Sequence, residues 1–378
     1  MTRTGPPERD DTQRPPAAAE VVTLGESMVT FLPSRPGRLA DVPTFERAIG
    51  GAESNVACVL AAAGHTTRWV SRVGADGFGD HLLETIASYG VDTSAVQRDP
   101  TRPTGIYFRT AGDRATDAHE VAYYRTGSAA SAMSPTTVDL RTLQATDILH
   151  LSGITAALST TCLSLLKSLT TPCPSGAIPR PLISFDVNYR EGLWPDATTA
   201  GDTLLTLARG ADLVFVGEDE AEEAWGITGG PTAIREALPE PRTLVIKNGS
   251  KGATVFESKV STHTHTHTPP PHPTREGDTV TEAPALHVDV VAPVGAGDAF
   301  AAGFLSATLR GLPPKHRLRH GHLMAAAALT TPGDLAAPPS RAHADRLAAL
   351  DDTAWGRLRL APGWTNTADR AQEEVPTP

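Results

Sequence analysis

Short apolar runs alternate with longer helical patterns from Asp147 onward, and this alternation limits the possible folds more than any other feature. Residues 148–151, 182–187 and 213–216 are apolar runs that predict strands, each followed by a stretch of helical periodicity. Strands joined through helices run parallel and are covered on both faces. The pattern therefore predicts an α/β three-layer sandwich with a mainly parallel central sheet. Further predicted strands are residues 21–24, 68–73, 244–246 and 253–256.

Two apolar segments interrupt this alternation. Residues 104–108 and 121–125 predict strands joined by a polar loop, so we expect a small β-sheet outside the main one, with strands at about 30–50 and 103–125. Three of its side chains are Tyr107, Tyr123 and Tyr124. Tyrosine is common in strands for packing reasons alone, but a sheet bearing Tyr and Arg is also suited to form a lid over a polar ligand.

The chain of 378 residues is long enough for one large domain, which we place at residues 20–360. Residues 1–19 are polar and proline-rich, lack the apolar core of a secretory signal and predict a disordered tail. Residues 361–378 predict a second tail. Residues 258–285 are rich in His and Pro and predict a disordered surface insertion, with transition-metal binding by its histidines as the alternative.

Charge and composition exclude several classes of function. The net charge of −10, without a run of Lys or Arg, argues against nucleic acid and anionic membranes as partners. No apolar stretch is long enough to span a bilayer. Three cysteines, Cys58, Cys162 and Cys173, are too few and too scattered for a disulfide framework or a cysteine zinc site. These features predict a cytoplasmic protein.

A glycine-rich turn, residues 295–298 (Gly-Ala-Gly-Asp), lies between a predicted strand at 286–291 and a predicted helix at 299–309. Its glycines admit a ligand close to the backbone, and the free N–H groups of the helix N-terminus favour an anion. Asp298 would repel a bound phosphate, so its carboxylate suits a different task. It can take a proton from a hydroxyl that attacks a phosphoryl group held by the N–H groups. The alternative is that Asp298 only caps the helix.

Two common phosphate-binding motifs do not fit the chain. A dinucleotide fingerprint needs a third small residue where Phe300 stands. The chain has no Gly-x-x-x-x-Gly-Lys-Ser/Thr, so it is not a P-loop protein.

A second glycine-rich motif, Gly50-Gly51, precedes a predicted helix at 56–63. The nearby amide of Asn55 can donate hydrogen bonds to hydroxyl groups and accept them. A simple turn with an N-cap is the alternative at this motif.

Polar clusters follow the predicted parallel strands at their carboxyl ends. Ligands bind at this edge of open α/β sheets. Each cluster alone is explained by a turn or a cap, but together they predict one site. The clusters are residues 152–153, Asp186-Asn188-Arg190, 218–220, 247–249 and 295–298.

These motifs together resemble the PfkB (ribokinase-like) family of sugar kinases over about residues 21–350. Residues 50–55 and 73–79 are similar to its N-terminal signature, and residues 295–300 to its C-terminal signature. Within the family the 2-keto-3-deoxygluconate kinase branch is the most similar, on residues 123–129, 150–155, 186–194 and 293–298. The resemblance implies a ribokinase-like fold and ATP-dependent phosphorylation of the terminal hydroxyl of that sugar acid, with Mg²⁺ to neutralise charge on ATP.

The resemblance also implies roles for the matching positions. Asp298 would be the general base, and the turn at Gly295, Ala296 and Gly297 would form the anion hole. Positions implied to bind the sugar are Gly51, Ala52, Asn55, Tyr107, Tyr124, Arg125, Arg190 and Asp334. Positions implied to bind the nucleotide are Lys247, Asn248, Gly249, Lys251, Gly252, Gly295, Gly297 and His322, and Glu220 is implied to lie near the metal. Lid sheets in this family often pair between subunits, which implies a homo-oligomer.

Two arginines support the substrate class on chemical grounds. Arg125 and Arg190 carry forked donors suited to a carboxylate, which a neutral sugar lacks. Nucleotide phosphates or a structural acid are the alternative partners for these side chains.

Three positions depart from the family pattern. Gly217 stands in place of Asn or Ser, Ala292 in place of Asp, and His322 near a position that is often Asn at the nucleotide. Two alternative interpretations stay open, and the departures bear on the second. One is another sugar kinase of the family, such as a fructokinase or a 2-keto-3-deoxygalactonate kinase, and the other is a non-catalytic sugar-binding regulator.

Overall fold

The secondary structure is that of a computed structural model, which describes residues 18–35, 37–110, 120–171, 180–258 and 277–366. The strands are β1 (Ala19–Leu24), β2 (Met28–Pro33), β3 (Phe45–Gly50), β4 (Thr67–Val70), β5 (Arg72–Gly74), β6 (Gln97–Asp99), β7 (Ile106–Arg109), β8 (Val121–Tyr124), β9 (Thr146–Ser152), β10 (Leu182–Asp186), β11 (Leu213–Gly217), β12 (Thr243–Asn248), β13 (Gly252–Glu257), β14 (Thr279–Pro284), β15 (His287–Val288) and β16 (Arg359–Leu360). The helices are α1 (Ala52–Ala62), α2 (Gly77–Ser88), α3 (Leu140–Gln144), α4 (Gly153–Ala157), α5 (Thr160–Thr170), α6 (Ala197–Arg209), α7 (Glu218–Trp225), α8 (Gly230–Ala237), α9 (Ala296–Leu309), α10 (Pro314–Leu329), α11 (Arg341–Ala348) and α12 (Asp352–Arg357).

The main sheet of the described residues runs in the order β14-β13-β12-β11-β10-β9-β1-β4. The neighbours from β12 to β4 pair in parallel, whereas β13 is antiparallel to both β12 and β14. Parallel neighbours need a crossover between them, and helices supply it here. The predicted mainly parallel sheet is confirmed.

Helices cover both faces of this sheet, which is why its central strands are almost continuously buried and mainly apolar. Val21 and Val22 are neighbours in β1, but successive side chains of a strand point to opposite faces. Val22 belongs to one buried core, with Leu166 of α5, and Val21 belongs to the other, with Phe304 of α9. The molecule therefore has the predicted three-layer arrangement.

The small sheet expected outside the main one is present, and its strand order is β3-β2-β7-β8. Strands β2 and β7 are parallel, and the two outer pairs are antiparallel. Aromatic rings pack together within it. Phe31 stacks on Phe108 at 4.7 Å between ring centroids, and Phe45 and Tyr124 meet Phe108 edge-on. We call these four strands the lid sheet.

Several predicted bounds differ from the structure. The strand predicted at 286–291 is only the two residues of β15, because the Val291 N–H donates to the Leu329 carbonyl at the end of α10 instead of joining a sheet. Helix α9 begins at Ala296, three residues earlier than predicted. The predicted insertion contains β14, whose backbone pairs with β13, and the predicted C-terminal tail contains the buried Trp364. Residues 1–17, 259–276 and 367–378 lie outside the described residues.

Two smaller expectations concern cysteine and membrane helices. Cys58 and Cys162 are buried with free thiols, and burial raises the pKa of each, to about 12 and about 11. Cys173 lies outside the described residues. In the described part of the chain no helix combines the length and the apolar character needed to cross a membrane.

Phe304 tests the packing of α9 on the sheet. Its ring is buried and meets Phe215 of β11 edge-on, with 5.5 Å between centroids. We expect Phe304→Ala to lower the free energy of unfolding by about 3–5 kcal/mol, because the substitution leaves a cavity between the layers. Denaturant titration measures the change. Val280→Ala on β14, where the side chain is 52% exposed, is the control and should cost less than about 0.5 kcal/mol; equal losses would contradict the prediction.

Candidate active site

A cavity of about 660 Å³ lies between the lid sheet and the carboxyl ends of the parallel strands. The polar clusters after β10 and β12 and the glycine-rich turn before α9 all contribute to its wall. The carboxyl-end location predicted for the site therefore coincides with a large cavity lined by many polar and charged side chains. The predicted site residues that line it are Gly51, Ala52, Asn55, Tyr107, Arg125, Arg190, Glu220, Lys247, Gly295, Ala296, Gly297, Asp298 and Asp334.

The glycine-rich turn depends on the conformation of Gly295. This residue has φ +76°, and a Cβ added to it would lie 2.2 Å from the backbone oxygen of Asp334. Only glycine satisfies both conditions. Helix α9 starts at the next residue, so the N–H groups of Ala296 and Gly297 have no acceptor within the helix, and both residues line the cavity. This helix start is therefore a candidate anion site.

Asp298 lies in the first turn of α9, at the same end of the cavity. Its Oδ2 accepts a hydrogen bond of 2.8 Å from Nδ2 of Asn55. Desolvation raises the pKa of Asp298 to about 7; the bond from Asn55 opposes this rise, and the charges of Asp186 and Asp334 add to it. A carboxyl group that titrates near neutrality beside an anion site can accept a proton from a hydroxyl at physiological pH.

The Gly50-Gly51 pair brings backbone segments close together. A Cβ on Gly50 would lie 2.1 Å from the Tyr107 hydroxyl oxygen, and one on Gly51 would lie 2.4 Å from the Glu26 carbonyl oxygen. Gly51 is also the N-cap residue of α1. The motif therefore serves both as a helix start and as the means of placing Asn55 beside Asp298.

A half-buried cation, Lys247, lies between two acids next to the anion site. The Lys247 Nζ atom is 3.1 Å from Oδ1 of Asp186 and 4.0 Å from Oε2 of Glu220. Burial alone would lower the pKa of Lys247, but the two carboxylates raise it above its ordinary value. Nζ also lies 3.8 Å from the position of a Cβ on Gly297. Lys247 therefore stays charged at the end of the cavity where the anion site lies.

Glu220 caps the start of α7 while it lines the cavity. Its Oε2 accepts a 2.7 Å hydrogen bond from the Gly217 backbone N–H. Gly217 departs from the family pattern and has no side chain, so its contact with Glu220 is made by the backbone. Burial raises the pKa of Glu220, and the charge of Lys247 opposes the rise. In the described residues no group of three or more His, Cys, Asp or Glu side chains is placed to hold a metal. One or two carboxylates are enough for Mg²⁺ that arrives with phosphate groups, and Asp186 and Glu220 fit that pattern.

The predicted role of Tyr124 is corrected by the structure. Side chains of β8 alternate between faces of the lid sheet, and Val121, Tyr123 and Arg125 line the cavity. Tyr124 points to the other face, where it is 65% exposed and contacts Phe108. Tyr123 therefore takes the place at the cavity that was predicted for Tyr124.

The two predicted carboxylate-binding arginines differ in their partners. Arg125 forms a buried ion pair with Glu26, in which its Nε is 2.7 Å from Oε2, and Ser128 donates to the other oxygen of Glu26. Arg190 has a side chain that is 55% exposed, with Nη1 bonded to the Tyr189 carbonyl oxygen and 3.8 Å from Oε1 of Glu220. A structural acid thus holds Arg125, whereas Arg190 keeps donors available to a ligand.

Asp334 is held by two side chains of β7. The Tyr107 hydroxyl donates to Oδ2 at 3.1 Å, and Nη2 of Arg109 lies 2.7 Å from Oδ1. The sequence analysis did not single out Arg109 or Glu26, and it gave Asp186 only as a member of a polar cluster. The alternation of Tyr107 and Arg109 along one strand was the only available signal for Arg109.

The remaining predicted nucleotide residues lie outside the cavity wall. Asn248, Gly249, Lys251 and Gly252 form the turn between β12 and β13, at the same edge of the sheet. His322 is a correction: it is buried on α10, bonds to the Ala283 carbonyl oxygen at 3.2 Å and packs against Phe300. Burial lowers its pKa to about 4. A side chain enclosed in this way faces the core and not a nucleotide.

Comparison with known proteins shows the same pattern over nearly the whole chain. The family described as "pfkB family carbohydrate kinase" matches residues 18–341 of this chain. The chain is 34% identical over 328 residues to a 2-dehydro-3-deoxygluconokinase of Bacillus subtilis, covering 85% of this chain and 93% of the relative. It is 32% identical over 333 residues to a 2-dehydro-3-deoxygluconokinase of Thermoproteus tenax, covering 88% and 94%.

A solved structure supports the same assignment. The crystal structure of a PfkB protein from Polaromonas sp. JS666 has a TM-score of 0.71 and 31% sequence identity, and it covers 87% of this chain and 99% of its own. The predicted ribokinase-like architecture is thereby confirmed. The matched region includes the lid sheet, the cavity and the turn before α9. The chain therefore belongs to the pfkB family of carbohydrate kinases.

Proposed function

We propose that this kinase transfers the γ-phosphoryl group of ATP to the terminal hydroxyl of 2-keto-3-deoxygluconate. The observation that carries the proposal is the position of Asp298 in the first turn of α9, beside helix N–H groups that have no acceptor within the helix, and bonded to Asn55. Acceptor activation and phosphoryl stabilisation then meet at one helix N-terminus. Two relatives with this substrate in their names, at 34% and 32% identity, support the choice of sugar acid.

Each step assigns work to a residue of the chain. Asp298 takes the proton of the attacking hydroxyl at its carboxylate, with Asn55 holding that carboxylate in place. The N–H groups of Ala296 and Gly297 stabilise the transferring phosphoryl group. Mg²⁺ bound with ATP would neutralise phosphate charge, and Glu220 with Asp186 would hold it or its water ligands. The turn at 248–252 and Lys247 would line the nucleotide side.

Arg190 supports an acidic sugar over a neutral one. Its guanidinium lines the cavity and is 55% exposed, so it can offer two parallel donors to a carboxylate. The lid sheet closes the opposite wall and would exclude water that otherwise hydrolyses ATP. We place this reaction in the cytoplasm, as the composition predicts.

A substrate panel with one catalytic variant tests the reaction. We expect ADP release with Mg-ATP to favour 2-keto-3-deoxygluconate over its galactonate epimer, fructose, ribose and gluconate. Asp298→Asn should fold and lose about 10²–10⁴-fold in turnover, because the amide cannot accept the proton. Asp202→Asn, at an exposed position of α6, is the matched control and should keep wild-type turnover.

Each other outcome of the panel has a definite meaning. Turnover of a neutral sugar only would contradict the acidic substrate and favour a fructokinase. Preference for the galactonate epimer would identify the related keto-acid kinase. Sugar binding without turnover would favour the regulator, and full activity of Asp298→Asn would contradict the proposed base.

The pH dependence tests the environment of Asp298. The base must be ionised, so we expect kcat/KM for the sugar to fall tenfold per pH unit as the pH is lowered below about 7. Asn55 stabilises the ionised form by donating to it, so Asn55→Ala should move this acidic limb to higher pH. Initial rates across pH 5–9 measure the shift. An unchanged midpoint in Asn55→Ala, or a shift to lower pH, would be inconsistent with this role.

Pairing of two copies through the lid sheet also stays a proposal. The outer face of this sheet carries Tyr124, which is exposed, next to the stacked pair Phe31 and Phe108. Exposed aromatic clusters of this kind are enriched at protein interfaces. We expect light scattering to give a dimer for the wild type and a monomer for Tyr124→Arg. A monomeric wild type would contradict the proposal.

A further inference from the structure

Arg109, the last residue of β7, contacts Asp334, whose backbone packs against the glycine-rich turn at residues 295–298. Its Nη2 atom lies 2.7 Å from Oδ1 of Asp334, and the two side chains are only 12% and 6% exposed. Both residues line the cavity. The pair therefore joins the lid sheet to the body of the domain at the wall of the substrate site.

The two side chains are not fully satisfied by each other. Nε of Arg109 is buried without a hydrogen-bond partner among the described residues. Oδ1 of Asp334 forms an ion pair with Nη2 of Arg109, but it accepts no hydrogen bond of good geometry. Buried polar atoms are nearly always fully paired in folded proteins, so an ion pair left incompletely satisfied in a cavity wall points to a role in ligand recognition rather than in stability alone. The chemistry of this pair suits hydroxyl or carbonyl oxygen atoms.

Neighbouring residues leave space for this arrangement. The Tyr107 hydroxyl donates to Oδ2 of Asp334 at 3.1 Å. A Cβ on Gly50 would come within 2.8 Å of that same Asp334 oxygen. The glycine before α1 thus allows the lid residue and the acid to meet.

The backbone of Asp334 packs on the catalytic turn itself. Its carbonyl oxygen would lie 2.2 Å from a Cβ on Gly295, the residue that sets the direction of the anion site. Only the missing side chain of Gly295 lets the two backbone segments pack this closely, and a displacement of one is transmitted to the other because packed interiors have little free volume. The position of Asp334 is therefore linked both to the lid, through Arg109, and to the turn before Asp298.

We propose that Arg109 is a positioning residue for sugar recognition, which holds Asp334 oriented into the cavity as the acceptor for a substrate hydroxyl and fastens the lid sheet in its closed position. This inference rests on the proposed function, since it requires a sugar substrate in this cavity. Burial raises the pKa of Asp334, and the charge of Arg109 opposes that rise, which is consistent with the geometry.

The expected effect separates the sugar from the nucleotide. Arg109 lies on the lid side of the cavity, whereas Lys247 and the turn at 248–252 lie at the ends of β12 and β13. Loss of the guanidinium leaves Asp334 buried without its cation and the sugar without an oriented acceptor. The KM for the sugar should therefore rise while the KM for ATP stays close to the wild-type value.

Steady-state kinetics of the full chain tests the proposal with the sugar that the panel identifies. We expect Arg109→Gln to raise the sugar KM by about tenfold to hundredfold, as for loss of a charged hydrogen-bond partner. The KM for ATP should change by less than about twofold. Arg47→Gln, at an exposed position of β3 in the same lid sheet, is the matched control and should change neither value.

A double-variant cycle tests whether Arg109 acts through Asp334. In an Asp334→Asn background, Arg109→Gln should raise the sugar KM by less than about twofold further, because the acceptor is already lost. Equal fold-changes in both backgrounds would overturn the proposal. So would an Arg109→Gln enzyme with the sugar KM of Arg47→Gln, or one in which the KM values of sugar and ATP rise together.

A conservative variant covers the case in which Arg109→Gln does not fold, as judged by thermal unfolding. Arg109→Lys keeps the charge but loses the fork, so its sugar KM should lie between those of the wild type and Arg109→Gln. A wild-type KM in Arg109→Lys would overturn the proposal. Absence of sugar turnover in the wild type would contradict the proposed function itself, whereas an active wild type with an unaffected Arg109→Gln contradicts only this inference.

Discussion

The hydrogen bond from Asn55 to Asp298 is the contact on which the rest of the site depends. It joins the first turn of α1 to the first turn of α9, although Asn55 and Asp298 are 243 residues apart in the sequence. These helices lie on one face of the sheet and share its core, in which Phe304 packs with Leu60. Two glycine-rich turns are thereby brought to the same end of the cavity. The Asp298 carboxylate has a fixed position because helices, and not loops, carry both partners.

Charge in the cavity is distributed as fixed pairs. Arg125 faces Glu26, Arg109 faces Asp334, and Lys247 faces Asp186. Burying an unpaired charge is costly, so each cation is held by an acid before any ligand enters. Positions of charge are then set by the fold, and little reorganisation is needed when an anionic ligand binds. Arg190, at the solvent side, is the cation with the most freedom among these four.

Periodicity and strand-end chemistry were sufficient to predict the layers of the fold and the edge of the sheet at which the cavity lies. The roles of Asp298 and Asn55 stay predictions. Finer placement could not be predicted, because it depends on contacts distant in sequence. The alternation of side chains along β8 does not show which face of the strand lines the cavity, so the sequence analysis names Tyr124 where the structure has Tyr123. His322 lies on α10, a helix that is buried over much of its surface, and nothing in its local sequence shows which side meets β14. The partners of Arg109 and Arg125 come from other elements entirely.

The pairing of β13 with β14 has a consequence for how this chain can vary. Glu257 and Thr279 stand opposite each other at the ends of the two strands, so the chain leaves the sheet and returns to it at one place. Arg235 fixes both ends of this excursion, since it binds Ser258 on one side and Asp278 on the other. The length of the connection is thus uncoupled from strand register, and the cost of closing a loop grows only slowly with its length. We expect new termini of a circularly permuted chain, or a fused domain, to be tolerated at this junction without disturbing the cavity.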